Sequence, residues 1–210
     1  MINILVADDH AVVRAGLKQL VNDNKDMEVT DEASNGEEAL GKALKNNHDV
    51  ILLDITMPGR NGLDLIKELK SQGSAVKILV LTIHPEEQYA MRVLKAGASG
   101  YLTKESAPVE LISAIRKVAS GGRYVSSSLA EKLAFELIDN TGKPSYQALS
   151  DREYQVMCMI AKGERLNKIA NELTLSVKTI SSYRSRILQK LNFKNNAELI
   201  RYAINNHLVQ

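Results

Sequence analysis

The chain has 210 residues, of which 25% are charged and 44% hydrophobic, and its formal net charge is +2. This length accommodates a full α/β domain and a smaller second domain. The single cysteine, Cys158, excludes an intramolecular disulfide, and no apolar run approaches the roughly 20 residues of a membrane span, so we expect a cytoplasmic protein without a membrane partner.

The first 121 residues alternate between apolar runs of strand length and segments with helical periodicity. Residues 50–53 carry no polar side chain, which is typical of a strand covered on both faces of a parallel sheet. Five strands alternating with five helices predict an α/β fold, a flavodoxin-like doubly wound five-stranded parallel sheet. The predicted strands are 2–7, 27–33, 50–54, 76–82 and 99–103, and the predicted helices are 11–21, 36–45, 62–71, 86–96 and 108–120. The residues expected to pack from the first helix are Val12, Ala15, Leu17 and Leu20.

The pattern changes after Gly121 and Gly122. Residues 126–138 have the pattern of a short amphipathic helix, and a polar linker follows. No strand pattern occurs from residue 149 onward, where helices are predicted at 151–162, 166–173, 177–191 and 196–205. We therefore expect three parts: an α/β domain at 1–121, a linker with a short helix at 122–148, and an all-α four-helix domain at 149–210.

The charge is unevenly divided between the two predicted domains. Residues 149–210 contain ten Lys or Arg and five Asp or Glu, a net of +5, whereas residues 1–148 have a net of −3. This asymmetry predicts an acidic first part and a second part that faces nucleic acid.

Polar side chains stand where the predicted strands end. Asp8 and Asp9 stand at the end of the first strand, Asp54 ends the third, Thr82 ends the fourth, and Lys104 follows the fifth. In a doubly wound sheet these ends line one crevice, at the point where the strand order reverses. If the first and third strands are neighbours, three carboxylates converge there, and such like charges need a cation among them. Hard oxygen ligands suit Mg²⁺.

Together, the residues at the strand ends could support a reaction that none of them indicates alone. Asp54 would be a nucleophile for a phosphoryl group, while Mg²⁺ and Lys104 neutralise charge on the transferring oxygens and Thr82 donates a hydrogen bond. Taken alone, Asp9 is a common helix N-cap, Thr82 an ordinary strand residue and Lys104 an ordinary solvated side chain. The coincidence of all these groups at strand ends favours the phosphoryl chemistry.

The same residues resemble a known family. The Asp pair at 8–9, the segment LLDITMPGRNGLDLI, LT at 81–82 and GYLTK at 100–104 are similar to the receiver domain of two-component response regulators. The resemblance implies that Asp54 accepts phosphate from a histidine kinase, and that Thr82 and Tyr101 form a switch pair in which the aromatic ring follows the hydroxyl inward. The Mg²⁺ ligands it implies are Asp9, Asp54 and the backbone carbonyl of Thr56, with Asp8 acting largely through water.

The basic second part has the pattern of a helix-turn-helix. Ser150 and Glu153 match a capping box, a short apolar-faced helix is followed by a tight connector at 174–176, and Ser176 is the expected N-cap of a helix of about four turns. The serines allow close approach to the major-groove floor, and the cations reach phosphates. The residues expected to contact DNA are Lys178, Thr179, Ser181, Ser182, Tyr183, Arg184, Ser185 and Arg186. A solvated face in a small helical interaction domain is the alternative.

Residues 149–209 resemble the LuxR-type DNA-binding domain, so the whole chain resembles a NarL/FixJ-family response regulator. The matching pieces are LSDRE, IANELTLSVKTISSYRSRILQKLNF and AELIRYAINNHL. Many relatives have Lys at the position of Ser181 and His at that of Tyr183, and GERLNKIA replaces the commoner GxSNKEIA. These departures affect which base sequence the domain recognises. With serine at positions 181, 182 and 185, we expect DNA shape to contribute a larger share of the specificity than direct base contacts.

The resemblance implies double-stranded promoter DNA as a partner. We expect phosphorylation of Asp54 to free the C-terminal helix-turn-helix domain, to favour a homodimer, or both. The expected tail dimer face is the helix at 196–205, through Leu199, Ile200 and Ala203. The four histidines, His10, His48, His84 and His207, are scattered along the chain, which argues against a histidine metal cluster, and Cys158 is expected to be a packing thiol.

Two other functions remain open from the residues. A phosphoaspartyl phosphatase would share the Asp–Mg²⁺–Lys logic, but it would need a second acid two residues beyond Asp54, where Thr56 stands. A constitutive DNA-binding module would use the first domain only for dimerisation, and the complete set of Asp54, Thr82 and Lys104 argues against it. We therefore expect a phosphorylation-controlled transcription regulator and not an enzyme.

Overall fold

A computed structural model describes residues 1–45, 47–58, 61–127, 129–131, 146–206 and 208–209. The chain divides into two compact units, Met1–Leu133 and Ala134–Gln210. The predicted helix at 126–138 falls largely outside the described residues. Within the described residues, the helices are too short or too polar to cross a bilayer.

The first unit is a five-stranded parallel sheet with helices between successive strands, as predicted. Every strand and helix predicted within residues 1–121 is present, and each end lies within one residue of its expected position. The strands are β1 (Ile2–Ala7), β2 (Met27–Ala33), β3 (Val50–Leu53), β4 (Lys77–Thr82) and β5 (Gly100–Thr103). The helices are α1 (Ala11–Asn22), α2 (Gly36–Lys45), α3 (Gly62–Ser71), α4 (Glu86–Ala96) and α5 (Ala107–Ala119).

The strand order β2-β1-β3-β4-β5 makes β1 and β3 direct neighbours. Ala7 pairs with Leu53 and Leu53 with Val80, so the carboxyl ends of the three strands finish at one level. All four residues of β3 are at most 1% exposed, because helices cover both faces of the sheet. The strand order therefore brings the polar residues that follow β1 and β3 to one edge.

The packing face of α1 differs from the prediction. Leu17 is buried as expected, but Val12 is 86% exposed, Leu20 is 39% exposed and Ala15 is also exposed. The sheet-facing stripe instead consists of Val13, Leu17 and Val21. At about 100° per residue, Val12 lies roughly 140° around the helix from Leu17, which places it on the solvent side.

The described part of the second unit is helical. It begins with a 3₁₀ turn at Tyr146–Ala148 and continues with α6 (Asp151–Ala161), α7 (Leu166–Glu172), α8 (Val177–Lys190) and α9 (Asn196–Asn205). These four helices confirm the predicted all-α domain. The fully buried residues of its core include Tyr154, Met157, Ile180, Ile187 and Leu199, and Cys158 is a free thiol only 4% exposed, as expected of a packing residue.

Gly62 permits a close approach beneath the end of β3. A Cβ atom at this position would lie 2.6 Å from the Ile55 Cα and 2.9 Å from the Asp54 carbonyl oxygen. We expect Gly62→Ala to reduce the free energy of unfolding by about 1–3 kcal/mol, because backbone must move to admit the methyl group. Chemical denaturation measures this effect.

Gly41→Ala in α2 is the matched control, since a Cβ there meets nothing within 4 Å. It is expected to stabilise the protein by about 0.5–1 kcal/mol through the helix preference of alanine. Equal effects of the two substitutions would contradict the proposed close approach.

Candidate functional site

The backbone holds Asp54 at the carboxyl edge of the sheet. The Asp54 N–H donates to the Ala7 carbonyl at 2.9 Å, which extends the pairing of β1 and β3 by one residue. The Thr56 N–H donates to the Asp54 carboxylate at 3.0 Å and orients that side chain. Asp54 is 3% exposed, so the carboxylate is delivered to the edge but stays largely shielded from water.

One ammonium group joins two of the predicted carboxylates. The Lys104 Nζ lies 2.5 Å from an Asp8 oxygen and 2.6 Å from an Asp54 oxygen. Both acid side chains are 3% exposed, and the lysine side chain is 16% exposed. The Lys104 N–H also donates to the Thr82 carbonyl at 2.8 Å, which links the lysine to the end of β4. Four strand ends thus contribute to one cluster.

Burial and charge act against each other in this cluster. Burial raises the pKa of Asp54, and the Lys104 ammonium and the Thr56 N–H oppose that rise only in part. Burial lowers the pKa of Lys104, but hydrogen bonds to Asp54 and Asp8 outweigh it, so the pKa lies above the usual lysine value. Asp54 is therefore a shielded carboxyl group beside a fixed positive charge.

A set of possible metal ligands includes Asp8, which also contacts Lys104. One ligand atom from each of Asp8, Asp9 and His10 lies within 4.8 Å of the others. The His10 Nδ1 is 2.9 Å from an Asp9 oxygen and 3.2 Å from an Asp8 oxygen. The β1–α1 turn thus brings His10, which is not among the expected Mg²⁺ ligands, beside the acid pair. His48 lies elsewhere and pairs with Asp31, and His207 is outside the described residues.

The two predicted switch residues, Thr82 and Tyr101, both contact the loop that follows β4. Thr82 and Tyr101 are both fully buried. The Tyr101 hydroxyl donates to the His84 carbonyl at 2.8 Å, and the His84 N–H points to the Thr82 hydroxyl oxygen at 3.5 Å. The His84 ring also reaches the Thr56 hydroxyl at 2.8 Å. Sequence reasoning missed His84, because neither its neighbours nor its spacing indicated a contact 28 residues away.

The second unit contains the predicted helix-turn-helix. Ser150 and Glu153 form the complete capping box of α6, and Lys190 of α8 contacts Glu153 at 2.6 Å. Helices α7 and α8 are separated by residues 173–176, in which Thr174 adopts a left-handed φ of 56°. The Ser176 hydroxyl accepts the Thr179 N–H at 3.0 Å and caps α8, as predicted.

Most of the predicted DNA-contacting residues share one side of α8. A shallow groove on this side is lined by Ser176, Lys178, Thr179, Ser182, Tyr183 and Arg186. The hydroxyls of Ser182 and Ser185 donate to the carbonyls of Lys178 and Ser181 at 3.0 and 3.1 Å. They therefore present oxygen lone pairs outward. Arg184 does not line this groove, and its Nε donates to Asn196 of α9 at 2.6 Å.

The predicted dimer face of the last helix is wrong in two of its three residues. Leu199 and Ala203 are fully buried inside the second unit, so they are not available to a partner. The two residues are four positions apart, so they lie on the same side of α9, and that side packs into the core of the domain. A shallow pocket on the accessible side of α9 is lined by Ala197, Ile200, Arg201, Ile204 and Asn205.

Two known families match the chain. The family described as "Response regulator receiver domain" matches residues 4–116, and the family described as "Bacterial regulatory proteins, luxR family" matches residues 147–203. Together they cover the sheet with its acidic edge and the helix-turn-helix unit.

Relatives match this chain over nearly its whole length. Response regulator UvrY of Escherichia coli (strain K12) is 44% identical over 210 residues, covering 99% of this chain and 96% of that protein. Oxygen regulatory protein NreC of Staphylococcus carnosus (strain TM300) is 38% identical over 213 residues, covering 98% of each. RcsB of Salmonella enterica serovar Typhimurium, solved bound to promoter rprA in the presence of phosphomimetic BeF3⁻, superposes with a TM-score of 0.66 at 28% identity, covering 96% of this chain and 98% of that one.

The chain therefore belongs to the two-component response regulators of the NarL/FixJ family, which have a receiver domain and a LuxR-type DNA-binding domain. Members of this family are transcription regulators and not enzymes, so the phosphatase interpretation is set aside.

Proposed function

We propose that this response regulator controls transcription through phosphorylation of Asp54 by a histidine kinase. The observation that carries the proposal is the Lys104 ammonium held between Asp8 and Asp54, at 2.5 and 2.6 Å. A buried carboxylate beside a fixed cation is the arrangement that an acyl phosphate requires, since charge develops on the transferring oxygens.

The transfer assigns a role to each residue of the cluster. A carboxylate oxygen of Asp54 attacks phosphorus, so an O–P bond forms while the N–P bond of the kinase phosphohistidine breaks. The freed imidazole takes a proton from solvent. Lys104 shifts from the carboxylate pair toward the phosphoryl oxygens, and the Thr82 hydroxyl donates to one of them. The loop carrying His84 then follows Thr82, and Tyr101, whose hydroxyl already bonds that loop, stays inward.

The donor set fits Mg²⁺. The carboxylates of Asp8 and Asp9 lie within 4.8 Å of each other, and the buried edge already holds a cationic group against Asp8 and Asp54. We assign direct contacts to Asp9, Asp54 and the Thr56 backbone carbonyl, and a water-mediated one to Asp8. When bound, the ion would neutralise phosphoryl charge during the transfer.

We propose that the second unit binds double-stranded promoter DNA. The net charge of +5 over residues 149–210, the capped α8 and its groove of serines and cations support this role. The domain limits that we assign are a receiver at 1–121, a linker at 122–148 and a DNA-binding domain at 149–210. We also propose a cytoplasmic location, because the protein would encounter both the kinase and the promoter DNA there.

The start of the linker offers a route from the switch to the second unit. Tyr124 bridges β5, since its carbonyl accepts the Tyr101 N–H at 3.0 Å and its N–H donates to the Ser99 carbonyl at 3.0 Å. Two residues later, the Ser126 hydroxyl donates to Glu86 in the first turn of α4 at 2.5 Å. Movement of β5 or α4 on phosphorylation would thus displace the linker directly.

We further propose that phosphorylation favours a homodimer. The exposed Ala197 and Ile204 and the half-buried Ile200 of α9 supply an apolar strip that suits a second copy, and Ile204 is 53% exposed. This strip replaces the face predicted from Leu199 and Ala203.

Phosphorylation should change DNA binding through Asp54 alone. With beryllofluoride and Mg²⁺, the wild-type chain is expected to bind a promoter duplex about 5–150-fold more tightly than without them, the usual span of allosteric coupling. Asp54→Ala should bind equally under both conditions. Fluorescence anisotropy measures the affinities, and the same response in both proteins would exclude Asp54 as the acceptor.

Mg²⁺ binding should depend on the acid pair. Asp9→Asn is expected to weaken Mg²⁺ binding at least about tenfold, because one anionic ligand becomes neutral. Isothermal titration calorimetry on the unphosphorylated protein gives the affinity. Asp23→Asn, which changes an exposed acid at the end of α1, is the control and should match wild type. An unchanged affinity in Asp9→Asn would exclude this metal site.

The hydrogen bond between Ser126 and Glu86 should contribute to the coupling between phosphorylation and DNA binding. Ser126→Ala removes the hydrogen bond to α4 and the cap that accepts the Leu129 N–H at 3.1 Å. We expect the ratio of activated to resting DNA affinity to fall several-fold, with little change in beryllofluoride binding. Ser127→Ala, at the neighbouring exposed serine, should keep the wild-type ratio. An unchanged ratio in Ser126→Ala would argue for another route.

A further inference from the structure

Arg184 does not share the side of α8 that carries the serines. Ile180, Arg184, Ile187 and Leu191 succeed one another at spacings of four, three and four residues, which places them on one helical stripe. The three apolar members of this stripe are at most 3% exposed and form the core of the unit. Arg184 is half-buried among them, whereas Ser182 and Ser185 are exposed. Helical geometry therefore turns Arg184 toward the domain interior.

The guanidinium of Arg184 connects two helices. Its Nε donates to the side-chain oxygen of Asn196 at 2.6 Å, across the loop that separates α8 from α9. Asn196 is the first residue of α9 and follows Asn195, whose side chain caps that helix by accepting the Glu198 N–H at 3.1 Å. The bond thus joins the middle of α8 to a rigid, capped helix start.

We infer that Arg184 is a positioning residue, which sets the angle between α8 and α9 and does not itself contact a DNA phosphate. The inference rests on the proposed DNA binding and assigns this arginine a different role from the neighbouring cations. Because α9 carries the accessible strip at Ala197, Ile200 and Ile204, the bond would fix the recognition surface relative to the strip that meets a second copy.

The chemistry of arginine suits this role. The Nε–H has a fixed direction in the planar guanidinium, so one short hydrogen bond restrains both the side chain and the helix that bears it. A lysine keeps the charge but offers a flexible point donor that cannot reproduce that direction. Arg184→Lys therefore keeps the positive charge but loses the directed hydrogen bond. Asn196→Ala removes the acceptor of the same bond.

The test measures the affinity of the full chain for a duplex of two half-sites, obtained by selection from a random library, over a range of salt concentrations. Arg184→Lys, Arg184→Ala and Asn196→Ala are each expected to weaken binding by roughly tenfold, the loss of one charge-assisted hydrogen bond. The double variant Arg184→Ala/Asn196→Ala should be no weaker than either single variant. The slope of log K against log salt should stay at the wild-type value in all of them.

Arg186→Ala is the matched control, because Arg186 lies in the exposed groove two residues away. As a phosphate contact it should lower the slope by roughly 0.9 per protomer. A duplex with a single half-site adds a second measurement, on which the Arg184 and Asn196 variants should lose less than twofold, since one domain needs no fixed angle to a partner.

The outcomes separate the two roles. Wild-type affinity in Arg184→Lys, together with a slope in Arg184→Ala lowered as in Arg186→Ala, would overturn the inference and make Arg184 a phosphate contact. Equal losses on the single and double half-sites would also overturn it, because they would indicate general loosening of α8. Circular dichroism confirms that each variant is folded. If the wild-type chain bound no duplex, the proposed DNA-binding function would fail as well, a result distinct from any difference among variants.

Discussion

The contact on which the receiver site depends is the ammonium of Lys104 between the carboxylates of Asp8 and Asp54. Removing three charges from water is expensive, and the mutual attraction of a buried ion pair often does not offset that cost. The cluster is therefore poorly explained as a source of stability. The proposed function accounts for the cluster, because an anionic group transferred to Asp54 would meet a cation already in place. Proximity of the two acids depends in turn on the adjacency of β1 and β3.

A change of charge at Asp54 has a short physical path to the surface. Lys104 is bonded through its backbone to Thr82, and the loop beyond Thr82 bonds the buried Tyr101 hydroxyl through His84. The backbone of Tyr101 pairs in turn with Tyr124, where the linker starts. Each step is a hydrogen bond between groups within one compact unit, so the coupling needs no large rearrangement of the sheet. Its strength would be a bias between populations, as in other allosteric proteins.

The helix-turn-helix unit illustrates why counting charges overstates a DNA interface. Lys178 and Arg186 line the exposed groove, but Lys190 is occupied by Glu153 and Arg184 by Asn196. Two of these four cations of α8 thus bond to other side chains of their own domain. The net charge of the domain still attracts a polyanion at long range, whereas local geometry decides which cations touch it.

Within the two domains, the sequence by itself determined the described strands and helices and their ends to within one residue. Hydrophobic periodicity and caps such as Ser150 and Ser176 act between close neighbours in the chain. It also placed Asp8, Asp54 and Lys104 at strand ends, although their convergence required β1 to lie beside β3. Only the tertiary structure decided the contacts between distant segments: which stripe of α1 faces the sheet, that His84 reaches Thr56, and that Leu199 and Ala203 are buried within their own unit. Such contacts depend on how whole helices are oriented, and that orientation results from packing over the entire domain.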